Sequence, residues 1–236
     1  TILEACREAK MIVPTLCYLK DINEIGACRV CLVELKGMEK LVTACNTICE
    51  EGMEILTNSP RVRRTRRINV ELILSQHNCN CAYCARSGNC SLQKLSNDLG
   101  VTGIPFAVKR EPTYWDPTLP LQRDAGKCIK CLRCIQVCEH IQTLGVWDLK
   151  NTGSRSTVAV REGLNLTDVN CALCGQCVTH CPVGALQARD DTERAFKAIA
   201  DPDLITVVQI APAVRVAWGQ YFGMKPEEAT VGKMVA

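Results

Sequence analysis

Aromatic residues are scarce in this sequence: Phe, Trp and Tyr make up 4% of 236 residues. These side chains bury the largest apolar areas, so the conventional core is thin and something else must help to hold the chain together. No run reaches the roughly 18 continuous apolar residues that span a bilayer. No secretory leader is visible in a sequence that opens at Thr1 without a Met. No Gly-rich dinucleotide fingerprint occurs, so any nicotinamide or flavin site is expected on a partner. Five arginines crowd residues 61–67 with no aromatic among them, all on one expected helix. That pattern argues for a solvated face, or a counter-charge to nearby anionic groups, rather than for nucleic acid.

Cysteine is what the sequence has in excess, with 18 residues. Most sit two or three positions apart. Disulfides between such neighbours close almost no chain and restrain the unfolded state little, whereas the same spacing suits ligands converging on a metal centre. Thiols kept reduced for that purpose fit a cytoplasmic setting.

The most specific signal is a pair of runs. CIKCLRCIQVC carries Cys128, Cys131, Cys134 and Cys138; CALCGQCVTHC carries Cys171, Cys174, Cys177 and Cys181. Both follow C-x2-C-x2-C-x3-C, the two-cluster ferredoxin run, in which the fourth cysteine ligates the other cluster. One 4Fe-4S cluster is therefore expected on Cys128, Cys131, Cys134 and Cys181, and another on Cys171, Cys174, Cys177 and Cys138. Such crossed wiring implies pseudo-twofold packing, with neither half completing its site alone. Glu139 stands where a proline usually follows the run. Between the runs, GVWDL and STVAV flank LKNTGSR as a hairpin.

Two further constellations precede these. Cys17-x10-Cys28-x2-Cys31-x13-Cys45 has three ligands on loops and one more distant, as a 2Fe-2S centre is gripped, although it departs from the plant-ferredoxin spacing. On spacing alone zinc stays open for this set. TILEACREAK ahead of it reads as a helix with a Thr1–Glu4 capping box and Ile2, Leu3, Cys6 and Ala9 on one face. RVCLVEL (29–35) and LVTA (41–44) read as short strands about the turn KGMEK. Next, Ser59 and Pro60 start a helix, with Val62, Asn69, Leu72, Ile73 and Gln76 on one side. It runs into HNCNCAYCARSGNC, where His77, Cys81, Cys84 and Cys90 form a spaced set and Cys79 is left over.

The first constellation resembles the 2Fe-2S domain at the front of respiratory complex I's large peripheral subunit and of the long iron-iron hydrogenases. In those families a β-hairpin precedes the helix; here that first hairpin is missing. The set His77, Cys81, Cys84 and Cys90 is similar, in the same chain order, to a 4Fe-4S site with one histidine ligand in both families. A neutral imidazole in place of a thiolate leaves less negative charge at the iron and is expected to raise the potential, as in Rieske centres. Beyond Cys181, TERAFKAIA reads as a helix, LITVVQIA as a buried β run, PAVRVAWGQYFG as a helix begun by Pro212, and PEEATVGKMVA as the start of another. VVQIAPAVRVAWGQYFG followed by VGKMVA resembles the opening of the hydrogen-activating domain of iron-iron hydrogenases, and this segment separates the two families.

The resemblance covers the whole chain and implies an α+β protein of tandem small iron-sulfur domains. These are a plant-ferredoxin-like 2Fe-2S domain over 1–57, a His-ligated 4Fe-4S domain over 58–110, and a two-cluster 4Fe-4S ferredoxin domain over 111–190. The start of an α/β hydrogenase domain follows over 191–236. One 2Fe-2S and three 4Fe-4S clusters take fifteen cysteines and one histidine. Their charge moves the chain from a formal +3 to about −4. Cys6 is left as a core residue, Cys49 and Cys79 without a role, and His140 and His180 as exposed bystanders. The implied function is the electron relay of a hydrogenase large subunit, with a soluble ferredoxin or a flavin-bearing NAD(P)-linked subunit as partner in a hetero-oligomer. The di-iron H-cluster is expected on motifs downstream, since no cysteine follows Cys181, so no catalytic residue is expected here. The alternatives are a complex I-like or formate-dehydrogenase-linked subunit, a stand-alone multi-cluster carrier, and a hydrogen sensor that shares the relay.

Overall fold

A computed structural model describes residues 1–107 and 114–235. The chain divides into two compact units, Thr1–Arg189 and a second beginning at Asp190. The expected boundary near residue 57 lies inside the first, and the one near residue 110 falls outside the described residues.

The first unit opens with helix α1, Ile2–Glu8. Thr1 caps it: its hydroxyl accepts from the Glu4 N–H while the Glu4 carboxylate reaches back, a reciprocal capping box. Ile2, Leu3 and Cys6 are buried, whereas Ala9 ends the helix as an exposed cap. Strand β1, Leu32–Leu35, pairs antiparallel with β2, Val42–Thr43, and on its other side with β3, Ile55–Leu56. β1 starts later than the apolar pattern implied, after a loop that carries Cys28 and Cys31, and β3 was not visible in the pattern. Ile2, Leu3, Cys6, Val13, Tyr18, Val33, Leu35 and Ala44 form one small core, together with Cys31 and Cys45.

Helix α2, Pro60–Ser75, begins with Ser59 accepting from the Val62 N–H and Pro60 in the first turn, where a missing N–H costs nothing. Its buried face differs from the expected one. Val62, Arg66, Val70, Glu71 and Ser75 point inward, while Leu72 is exposed. Polar residues sit inside because each finds a partner: Arg66 on the Leu32 carbonyl, Glu71 with Arg67, Ser75 on the Leu72 carbonyl. A face chosen by apolarity alone misses such residues.

Helix α3, Ser91–Asp98, buries Leu92 and Leu95. Strand β4, Leu121–Arg123, follows, then α4, Arg133–Gln136, which runs on as one π-helical turn, Val137–Ile141. β5, Trp147–Lys150, and β6, Thr157–Val160, form the expected antiparallel hairpin. α5, Gln176–Thr179, precedes β7, Leu186–Ala188, which pairs antiparallel with β4 and joins the two ends of the cysteine-run region. The larger core mixes Val70, Leu92, Leu95, Val146, Trp147 and Val183 with cysteines of both runs. Trp147 is 1% exposed and stacks on Trp115 with ring centroids 5.9 Å apart.

In the second unit, α6 is Thr192–Ala200, α7 is Pro212–Tyr221 and α8 is Val231–Val235. Residues 204–211, expected as a buried β run, adopt no strand, and Ile205 and Val207 are exposed. A strand needs a neighbour for its backbone groups, and among the described residues none pairs with this segment. No described helix is long and apolar enough to cross a membrane.

Candidate metal centres

The two cysteine runs share a backbone signature. Lys130 and Leu132 have φ of 56° and 62°; Leu173 and Gly175, at the equivalent places in the second run, have φ of 50° and 72°. Left-handed residues alternating with the cysteines turn successive N–H groups inward, as in the anion-binding nests of phosphate and Fe–S sites. Three of the four are not glycine, a strain of the kind found at functional sites. The sulfurs receive these donors. The Lys130 N–H bonds the Cys128 thiol and the Arg133 N–H that of Cys131. The Val146 N–H lies 3.4 Å from Cys138 Sγ, and the Trp147 indole bonds Cys177.

Two cavities result. Cys128, Cys131, Cys134 and Cys181 line one; Cys138, Cys171, Cys174 and Cys177 line the other. Each gathers three thiols of one run and the last of its partner. Burial pushes the Cys128 and Cys134 thiols up, Cys131 up to about 12 and Cys177 to about 11. Such groups ionise at neutral pH only beside strong positive charge, which a bound metal core provides. Arg123, half-buried, sits close enough to Cys128 and Cys134 to feel both. Among the described residues no three or more His, Cys, Asp and Glu side chains are gathered closely enough to hold a lone metal ion. All eighteen cysteines are unbridged.

Cys17, Cys28, Cys31 and Cys45 are all buried and form two hydrogen-bonded pairs. Cys17 bonds Cys28, drawing Cys28 down to about 6 with help from the Val30 N–H; Cys45 bonds Cys31, drawing Cys31 down to about 7. The partners Cys17 and Cys45, which supply the protons, are pushed up. The two members of each pair are pushed in opposite directions, and metal binding must release the protons they hold. One arginine of the 61–67 run belongs to this site. Arg66 is 4% exposed, donates to the Leu32 carbonyl from Nε at 3.1 Å and Nη2 at 2.6 Å, and lies within electrostatic reach of Cys31.

His77 is buried, with Nδ1 2.9 Å from the Lys127 carbonyl. That carbonyl can only accept, so Nδ1 carries the proton and the contact fixes the orientation of the ring. His77, Cys81 and Cys90 line one cavity together with Cys79, the leftover cysteine. Cys84 does not line it; its sulfur instead faces Gly184, where an added Cβ would stand 2.6 Å away. This loop is laced to the two-run region: Arg86 Nη2 donates to the Cys181 carbonyl at 3.0 Å, and the Ser91 N–H to Pro182 at 3.1 Å. Of the other unassigned groups, Cys6 is buried in the small core, and Cys49, Cys79 and His140 are exposed. His180 is half-buried, with Nδ1 on the Gln176 carbonyl. Sequence reasoning missed Asn23, Arg86, Arg123 and Arg133, which bond or flank the cysteine-bearing loops but belong to no spaced motif.

The folds and donor sets are those of a chain of iron-sulfur domains, and family models match three segments. Residues 1–60 match a 2Fe-2S iron-sulfur cluster binding domain, 66–105 the NADH-ubiquinone oxidoreductase-G iron-sulfur binding region, and 127–185 a 4Fe-4S dicluster domain. Among individual proteins, the NADP-reducing hydrogenase subunit HndD of Solidesulfovibrio fructosivorans is 40% identical over 100% of this chain and 41% of its own length. Iron hydrogenase 1 of Clostridium pasteurianum is 33% identical over 95% of this chain and 39% of its own. The NADPH-Fe(3+) oxidoreductase subunit alpha of Geobacter sulfurreducens is 34% identical over 79% of this chain and 22% of its own. The chain thus spans well under half the length of these curated relatives. A crystal structure of an NAD+-reducing [NiFe]-hydrogenase superposes with a TM-score of 0.74 at 28% identity, covering 80% of each chain.

Proposed function

We propose that this chain is the electron-relay portion of an iron-iron hydrogenase large subunit. It would connect a ferredoxin or a flavin-bearing NAD(P)-linked subunit, within a hetero-oligomer, to a di-iron site outside the chain that interconverts protons and hydrogen. Bound iron-sulfur clusters would supply the one-electron carriers. Cys17, Cys28, Cys31 and Cys45 would hold a 2Fe-2S cluster; His77, Cys81, Cys84 and Cys90 a 4Fe-4S cluster; and the two crossed rings a 4Fe-4S cluster each.

The observation that carries the reading is the composition of those rings, three thiols of one run closed by the last of the other. A structural brace needs no such interlock, whereas two redox centres held at fixed spacing do. The chain's own groups would tune these sites. Backbone N–H groups and the Trp147 indole on the sulfurs, with Arg66 and Arg123 nearby, favour the anionic thiolates. The Nδ1–H bond to Lys127 orients the His77 ring. Two hydrogenases align with 95–100% of the chain, but the NADPH-Fe(3+) oxidoreductase and an NADH-quinone oxidoreductase of Rhizobium meliloti with 79–80%. That difference favours the hydrogenase setting over the complex I-like one.

Protein purified anaerobically is expected to carry about 14 iron atoms per chain, with matching acid-labile sulfide and charge-transfer absorption in the visible. Zinc in place of iron, without that absorption, would end the reading.

A further inference from the structure

Asn23 lies in none of the spaced motifs, yet it is 0% exposed. A tight loop presents it: the Leu19 N–H donates to the Asn23 carbonyl, the Asn23 N–H returns to Leu19 at 2.8 Å, and Asp21 between them has φ of 60°. The side-chain nitrogen then donates twice. It lies 2.7 Å from the carbonyl of Cys17 and 2.9 Å from that of Cys131, which is 108 positions further along the chain. An amide NH2 has two hydrogens, and each meets one acceptor. The amide orientation follows from the contacts, because the reverse flip would set an oxygen against two carbonyls. Asn23 Oδ1, by contrast, is buried with no hydrogen-bond partner. An orphaned buried acceptor is costly, so this placement is governed by the nitrogen. Arg133 reinforces the same junction, with Nε 3.1 Å from the Cys17 carbonyl and Nη2 3.0 Å from that of Tyr18.

We infer that Asn23 is the positioning residue that sets the separation between the four-cysteine site of Cys17, Cys28, Cys31 and Cys45 and the ring of Cys128, Cys131, Cys134 and Cys181. This rests on the ligand sets proposed above. One planar amide spans from a ligand residue of one site to a ligand residue of the other, and no longer chain of flexible groups intervenes. Four N–H contacts on three carbonyls, those of Cys17, Tyr18 and Cys131, lock the loops against sliding. A hydrophobic residue of equal volume would fill the space and leave the Cys131 carbonyl without this donor.

The test compares the wild-type holoprotein with Asn23→Leu and Asn23→Ser, prepared anaerobically. Iron and sulfide are counted first, and the reduced proteins are then examined by EPR for the magnetic interaction between the 2Fe-2S signal and its nearest 4Fe-4S neighbour. Asn23→Leu is expected to keep the full iron complement while the interaction broadens into a distribution or is lost. Asn23→Ser keeps one donor and leaves room for a bridging water, so its interaction is expected to fall between the two. Should the leucine variant fail to load, the serine variant decides. A spectrum of either loaded variant superimposable on wild type would overturn the role of Asn23. A wild-type protein lacking these centres would instead overturn the ligand sets, so the two failures are distinct.

Discussion

Arg66 offers the sharpest check on the physical reading, because the composition of its helix places it in a charged run and the fold places it inside. Replacing it with Met keeps most of the aliphatic volume and removes the guanidinium. The Leu32 carbonyl then loses donors at 3.1 and 2.6 Å. A hydrogen bond to a charged group contributes about 1.5–3 kcal/mol, and a stranded buried carbonyl costs about 1–3 kcal/mol. Both bonds end on one oxygen, so they do not add fully, and relief of the buried charge offsets part of the loss. The net destabilisation is about 2–4 kcal/mol. At roughly 2–4 °C per kcal/mol for a unit of this size, the melting temperature should fall by about 5–15 °C. Arg63, exposed in the same run, serves as the control, and Arg63→Met should stay within about 0.5 kcal/mol of wild type. The assay is anaerobic thermal unfolding followed by far-UV circular dichroism. Equal melting of the two variants would show that Arg66 carries no buried bond of this strength. A second readout tests the electrostatics: loss of a positive charge near Cys31 should lower the potential of the centre held there, as seen in redox-titrated EPR.

Two further outcomes are expected. His77→Cys adds about one negative charge at its site; at an effective dielectric constant near 20 and a separation of about 4 Å this amounts to ~4 kcal/mol, so one 4Fe-4S potential should drop by an amount on the order of 100 mV, and an unchanged set of potentials would remove His77 from the ligands. Gly184→Ala places a methyl group 2.6 Å from Cys84 Sγ, which must displace that sulfur; loss of about four iron atoms with the crossed rings intact is expected, and full iron retention would show that Cys84 is not needed where it stands.

Local chemistry was legible in the sequence wherever a residue acts through its neighbours along the chain. The Thr1–Glu4 capping box, the Ser59–Pro60 helix start and the 147–160 hairpin each depend on residues a few positions apart, and each is found. Cysteine spacing works in the same way, since ligands on one short loop must approach one centre. The apolar segment 204–211 marks the limit of such reasoning: its composition suits a strand, but a strand exists only with a partner, and composition supplies none.

What the tertiary structure alone decided are the contacts made to backbone carbonyls. Every residue carries one, so no side-chain pattern announces that Arg66 will find Leu32, that His77 will point its proton at Lys127, or that Asn23 will bridge Cys17 and Cys131. The amino-acid order determined which atoms could grip metal. The fold determined how far apart the grips are held, because that distance is set by polar side chains whose partners lie dozens to more than a hundred residues away.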